Sequence, residues 1–305
     1  MIRAKGLLLI ATCLLLSAPW VHAANAPPAA SESCYDTQTI LVHPRLNPTY
    51  RQAVADVIAG IRTAGVGELA VCSLEQLESR GSALRPTTLF ALGDQVASAL
   101  AARSGKARVI ALLVQALPPP VDSGISLFLD PAKVLDDILS LHPATRSLHF
   151  VHRAHIPAPI VDRVRALAGK RGIDFEPVAV SSLRSAAQAI ERLKTIPATG
   201  AIVWFHKGVL GLNPDILVPN LVRISWARDL PIVADRVDYV QRGIPLAVSP
   251  DYQAFGRRAA KLSAAREPGL IYLPATRWAL HARSAALIGI ELQTDDEWRF
   301  DYVHE

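Results

Sequence analysis

The sequence predicts an α/β protein built as two doubly wound parallel-sheet lobes. Three observations carry this. Short unbroken apolar runs recur along the chain, rich in Val, Ile and Leu. Segments with apolar residues at helical spacing separate them. The alternation stops at Leu117-Pro118-Pro119-Pro120 and then restarts. Unbroken apolar runs mark strands covered on both faces, which is the environment of a parallel sheet between helices.

The elements follow in order. Thr39–Val42 reads as a strand. Tyr50–Ala64 reads as a helix with Ala53, Val54, Val57, Ile58 and Ile61 on one face, stopped by Gly65. Strands at Glu68–Cys72, Thr87–Leu92 and Arg108–Val114 follow, with helices at Leu74–Arg80 and Gln95–Arg103 between them. Beyond the prolines come an extended piece, Ser123–Leu129, and a helix, Pro131–Leu141, with proline in its first turn. Strands then read at Ser147–His152, Phe175–Val180, Ala201–Phe205, Pro231–Ala234 and Gly243–Val248. Helices read at Ile160–Lys170, Ser182–Leu193, Pro214–Arg228 and Asp251–Ala265. The expected division places 39–118 and 243–275 in the first lobe, and 119–242 and 276–305 in the second.

Composition bounds the class. Of 305 residues, half are apolar, 19% charged and 6% aromatic, which excludes a disordered chain and a cysteine-stapled miniprotein. The length suffices for two ordinary domains with their own cores. The low aromatic fraction argues against a cleft lined for stacking. The net charge of +5 is spread without a Lys/Arg block, so no nucleic-acid partner is expected.

Residues 1–23 read as a secretory signal. Arg3 and Lys5 form a basic start, an apolar run covers Leu7–Leu16, and Val21-His22-Ala23 offers a cleavage site. The run is shorter than the roughly 20 residues of a spanning helix. A flexible Ala/Pro/Ser-rich leader at 24–38 follows. The mature chain is therefore expected in the periplasm, soluble and monomeric. Removing Arg3 and Lys5 from the 32 basic residues leaves 30 against 27 acidic ones, a net +3. Of the cysteines, Cys34 and Cys72 remain. An oxidising compartment invites a disulfide between them; the other reading makes Cys72 an unpaired buried strand residue.

Catalytic signatures are missing. The sequence contains no G-x-S-x-G, HExxH, Walker A, CxxC or G-x-G-x-x-G. Neither enzyme activity nor a cofactor is expected. His152 and His155 flank Arg153 after a strand, but no acidic residue lies near to complete a metal site. Sheets of this kind bind ligands outside the carboxyl ends of their strands. That rule selects His206 and Lys207 after the Ala201–Phe205 strand, and Asp235 and Arg236 after the Pro231–Ala234 strand. Together they would present positive charge to an anionic ligand.

A longer pattern adds to this reading. Pro231–Tyr252, PIVADRVDYVQRGIPLAVSPDY, runs into QAFGRRAAKLSAA. It resembles the closing motif of the aromatic-amino-acid-type family of ABC-transporter substrate-binding proteins, which have the type I periplasmic-binding fold. Leu89-Phe90-Ala91-Leu92-Gly93, Leu141-His142-Pro143 and Leu212-Asn213-Pro214-Asp215 agree with that family in order. The resemblance covers about residues 39 to 290. It implies two lobes joined by a hinge with three crossings, a small solute closed between them, and an inner-membrane ABC permease as partner. Carried over by position, it implies ligand contacts at His43, Arg45, Gly93, Asp94, Gln95 and Gln115 of the first lobe. From the second lobe it implies His152, Phe205, His206 and Arg236. The sequence departs from the family at Asp94, where a hydroxyl residue is usual, at His206-Lys207, where an acid is usual, and at Arg236, where a serine is common. The expected ligand is thus a small polar or anionic solute. The alternative is an interaction or sensor module that keeps the fold with a degenerate cleft and binds a protein.

Overall fold

The computed structural model describes residues 34, 37–79, 86–103, 105–273, 276–290 and 300–305. The signal and most of the leader read from the sequence lie outside the described residues. Two sheets organise the chain. The first contains β1 (Thr39–His43), β2 (Leu69–Ser73), β3 (Thr88–Leu92), β4 (Arg108–Val114), β5 (Ser123–Leu129) and β11 (Gly269–Leu273), in the order β11-β5-β4-β3-β1-β2. All its pairings are parallel. The second contains β6 (Ser147–Arg153), β7 (Asp174–Val180), β8 (Ala201–Phe205), β9 (Ile232–Ala234), β10 (Leu246–Pro250), β12 (Thr276–His281) and β13 (Tyr302–His304), in the order β13-β12-β10-β9-β8-β6-β7. Only the β10–β12 pairing is antiparallel.

Helices cover both faces of each sheet, so each strand feeds two cores. In β1, Ile40 and Val42 join one cluster with Ala70, Leu89 and Val96. Leu41 faces the other way, onto Val57, Ile61 and Phe255. These contacts come from α1 (Arg51–Thr63), α3 (Asp94–Ala101) and α8 (Tyr252–Ala265). The second sheet is sandwiched in the same way by α4 (Pro131–Leu141), α5 (Ala158–Lys170), α6 (Leu183–Arg192), α7 (Pro214–Arg228) and α9 (Ala282–Leu287). The short α2 (Leu74–Ser79) packs Leu74 and Leu77 on the first. Helix starts are set by local chemistry: Asp130, Ser182, Asn213 and Asp251 each accept a backbone N–H from the first turn.

The expected lobe boundaries need two corrections. Ser123–Leu129 was expected in the second lobe but pairs with β4 and β11 in the first. The proline run is a helix-free return across the sheet, not a boundary between lobes. Gly124 permits the close pairing, because a Cβ there would lie 2.6 Å from the Ala111 carbonyl oxygen. Leu246–Pro250, expected in the first lobe, pairs with β9 and β12 in the second. A turn of 3-10 helix over Val237–Arg242, ended by Gly243 at φ 97°, folds it straight back beside β9.

The chain therefore crosses between lobes three times: after β5, after β10 and between β11 and β12. The crossings are tied together. Asp130 N–H donates to Leu273 O at 2.8 Å. Arg277 reaches Asp251 at 3.4 Å. In the first lobe, Cys34 and Cys72 are joined by a disulfide, with Cα atoms 6.2 Å apart.

Candidate ligand-binding cleft

A cleft of about 490 Å³ lies between the lobes at the crossings. That volume lies within the range of small-molecule sites. The first lobe contributes the start of α1 and the end of β5. Asn47 accepts the Thr49 N–H and caps the short turn Pro48–Tyr50, which puts Thr49, Tyr50 and Ala53 on the cleft wall. Tyr50 is 61% exposed there. Phe128, one residue from the end of β5, points its buried ring into the cleft. Tyr252 enters from the first turn of α8.

The second lobe contributes the ends of β8 and β9. Strand alternation sends Trp204 and His206 to the cleft side, and Phe205 into the core on the opposite face. The His206 N–H donates to Val151 O at 2.8 Å, extending the β6–β8 ladder by one residue. Gly208, at φ 81°, then turns the chain and donates its N–H to Asp235 Oδ2 at 2.7 Å. That bond ties the loop after β8 to the loop after β9. Arg236 forks onto both oxygens of Asp238 at 2.8 and 2.6 Å and lies over the Tyr239 ring.

Electrostatics follow from burial. The His206 ring is packed against Phe128, Phe150 and Trp204. Desolvation, with Lys207 and His152 nearby, pushes its pKa down to about 3, so the imidazole is neutral at physiological pH. Burial pushes Lys207 down to about 8, opposed by Asp235. Asp235 is raised by burial, opposed chiefly by the Gly208 N–H. Three buried polar atoms lack a hydrogen-bond partner among the described residues: Arg153 Nε, His206 Nδ1 and Asp235 Oδ1. Among those residues no group of three or more His, Cys, Asp or Glu side chains is placed to hold a metal ion.

Of the residues selected from the sequence, His206, Lys207, Asp235 and Arg236 come together on the cleft wall. Phe205 does not, for the reason of alternation given above. His152 is buried with its Nδ1 against Arg153 O at 3.0 Å and its ring stacked on Phe150. In the first lobe, Asp94 accepts the Gln115 N–H at 2.9 Å, which locks the loops after β3 and β4 together. Gly93 and Gln95 flank it at the start of α3, and none of these four lines the cleft. His43 contacts Pro44 O at the end of β1, and Arg45 is exposed beyond it. Five of the chain's 18 Phe, Trp and Tyr residues border the cleft, Tyr50, Phe128, Trp204, Tyr239 and Tyr252, and of these Phe128, Trp204 and Tyr239 are buried. The apolar pattern of β5 and β8 could have flagged Phe128 and Trp204, as large rings within a residue or two of a strand's carboxyl end.

Two doubly wound lobes on three crossings around such a cleft define a type I periplasmic-binding-protein-like fold. No protein-family model and no curated protein matches the chain. Solved structures do match. The ABC domain in complex with L-Trp from Streptococcus pneumoniae is 15% identical, covering 88% of this chain and 99% of that one, with a TM-score of 0.58. A substrate-binding protein with adhesive properties from Clostridium difficile, in its ligand-free open form, is 12% identical over 88% of this chain and 99% of that one, with a TM-score of 0.65. A LacI family transcriptional regulator from Bifidobacterium animalis is 15% identical over 79% of this chain and 94% of that one, with a TM-score of 0.51. At these identities the likeness establishes the fold. The matched structures include a substrate-binding protein and a transcriptional regulator. Among the described residues no helix is long and apolar enough to cross a membrane.

Proposed function

We propose that the chain is an exported solute-binding protein that closes its lobes on a small polar or anionic ligand and presents it to an ABC permease. The carrying observation is the interlobe cleft. Its walls come from both lobes, and its second-lobe rim holds Lys207 and Arg236 at strand ends. A ligand touching both walls would stabilise the closed arrangement by its differential affinity for it. The substrate-binding proteins of like fold support the transport reading, and the streptococcal domain solved with L-Trp agrees with the sequence resemblance to aromatic-amino-acid binders. The Cys34–Cys72 disulfide supports a periplasmic location, since such bonds persist in oxidising compartments.

A thermal-shift screen of amino acids, sugars, carboxylates and inorganic anions tests the proposal. A ligand present at 100 times its dissociation constant stabilises by about 2.7 kcal/mol. At least one class is expected to raise the melting temperature. A flat response across the whole library contradicts a solute-binding role and favours the protein-interaction alternative.

A further inference from the structure

We infer that the solute is an aromatic carboxylate that carries no ammonium group. The inference rests on the solute-binding reading and narrows it to a ligand class.

The body of the ligand is set by the walls. Tyr50, Phe128 and Tyr252 line the cleft from the first lobe, Trp204 and Tyr239 from the second. Tyr50 is the exposed one, at 61%, with a free ring face at the rim. Leu127, Leu129 and Val248 fill the remaining surface. Phe128, Trp204 and Tyr239 are 4%, 2% and 2% exposed and form the apolar backing, while the exposed Tyr50 and the half-buried Tyr252 leave ring surface on which a flat ring can stack.

The head group is set by which charges are still available. Arg236 spends its fork on Asp238. Lys207 differs: no hydrogen bond or ion pair engages its ammonium among the described residues, although Asp235 acts on it electrostatically. It is a desolvated cation on the cleft wall, and a carboxylate is the group that satisfies it best.

An ammonium group finds no counterpart. Asp235 is the single acid on the described lining. Its Oδ2 accepts from the Gly208 N–H, and its Oδ1 is sealed from solvent within the protein. Neither oxygen is offered to a ligand cation. The other side-chain acceptors on the lining are the neutral His206 ring, enclosed by aromatic rings, and the hydroxyls of Thr49, Tyr50, Tyr239 and Tyr252, none of which is a carboxylate. A cationic group would therefore lose its hydration without a charged partner, and it would face Lys207 as a like charge.

Isothermal titration calorimetry on the full mature chain tests this with three ligands sharing one ring: indole-3-propionate, L-tryptophan and tryptamine. Indole-3-propionate is expected to bind, L-tryptophan at least about tenfold more weakly, and tryptamine not at all. Lys207→Met should weaken indole-3-propionate at least about tenfold, the size of a lost charged hydrogen bond. An unchanged melting temperature of the ligand-free variant shows that the cleft remains folded. Equal or tighter binding of L-tryptophan or tryptamine overturns the inference and leaves the solute-binding reading standing. So does binding of a sugar or aliphatic amino acid where the aromatic acids fail. A silent response to every ligand in this set and in the wider screen overturns both.

Discussion

Phe128 of the first lobe stacks on His206 of the second, with ring centroids 5.4 Å apart and planes 29° from parallel. The contact lies two residues before Asp130, where the chain first crosses between lobes. It bonds the apolar end of β5 to the loop that carries Lys207. The stack thus sets the spacing of the two cleft walls next to the hinge. Replacing Phe128 with alanine removes a buried ring and leaves a void at that junction. The expected cost is about 3 kcal/mol in urea unfolding. An unchanged unfolding midpoint would mean that the rings touch without coupling the lobes.

The same ring packing controls a proton. In the folded chain His206 stays neutral down to about pH 3, whereas in the unfolded chain it titrates near its ordinary 6.5. The unfolded state therefore binds more protons between those values. His206 costs no stability above pH 6.5, and stability is lost progressively as pH falls from 6.5 toward 3. The slope is at most about 1.4 kcal/mol per pH unit. Urea unfolding of the native protein and of His206→Phe at pH 7, 6, 5 and 4 isolates the effect. The stability difference should shift toward the variant on acidification; parallel curves would show that the imidazole titrates normally.

Lys207 gives the opposite end of the pH scale. Burial holds its free-state pKa at about 8 against an ordinary 10.5, with Asp235 the facing acid. An anion binds the protonated amine, so affinity should be level below pH 8 and fall as pH rises through it. Calorimetry with indole-3-propionate at pH 6.5, 7.5, 8.5 and 9.5 reads this directly. Lys207→Arg, which stays charged, should flatten the curve.

Behind Tyr50 and Tyr252, α1 and α8 pack backbone to backbone. A Cβ on Gly60 would lie 2.1 Å from Gln253 O, and one on Gly256 would lie 2.2 Å from Val57 O. Backbone cannot yield as a side-chain tip does. Gly256→Ala should destabilise by about 1–3 kcal/mol and separate α8, which carries Tyr252, from α1, which follows Tyr50 directly. Ligand affinity should fall with stability. A variant of native stability would show that the helices slide freely.

Much of the fold was legible because its signals are local. Thr39–Val42, Arg108–Val114 and Ala201–Phe205 are unbroken apolar runs, and Asp130, Asn213 and Asp251 announce helix starts. Lobe membership was harder. β5 and β10 look alike whichever sheet receives them, and only the pairing reveals that Gly124 is needed beside Ala111. The rule of strand carboxyl ends found His206, Lys207, Asp235 and Arg236. It missed the aromatic walls, because Tyr50, Phe128, Trp204, Tyr239 and Tyr252 are spread over 200 positions and each resembles an ordinary core or helix-end residue. Phe205 was misplaced by one step of strand alternation.

Closure of the lobes on a ligand is the central claim, and small-angle X-ray scattering of the mature chain measures it most directly. Indole-3-propionate at saturation should reduce the radius of gyration, and Lys207→Met at the same ligand concentration should not follow. An identical scattering curve with and without a ligand that calorimetry shows to be bound would contradict closure.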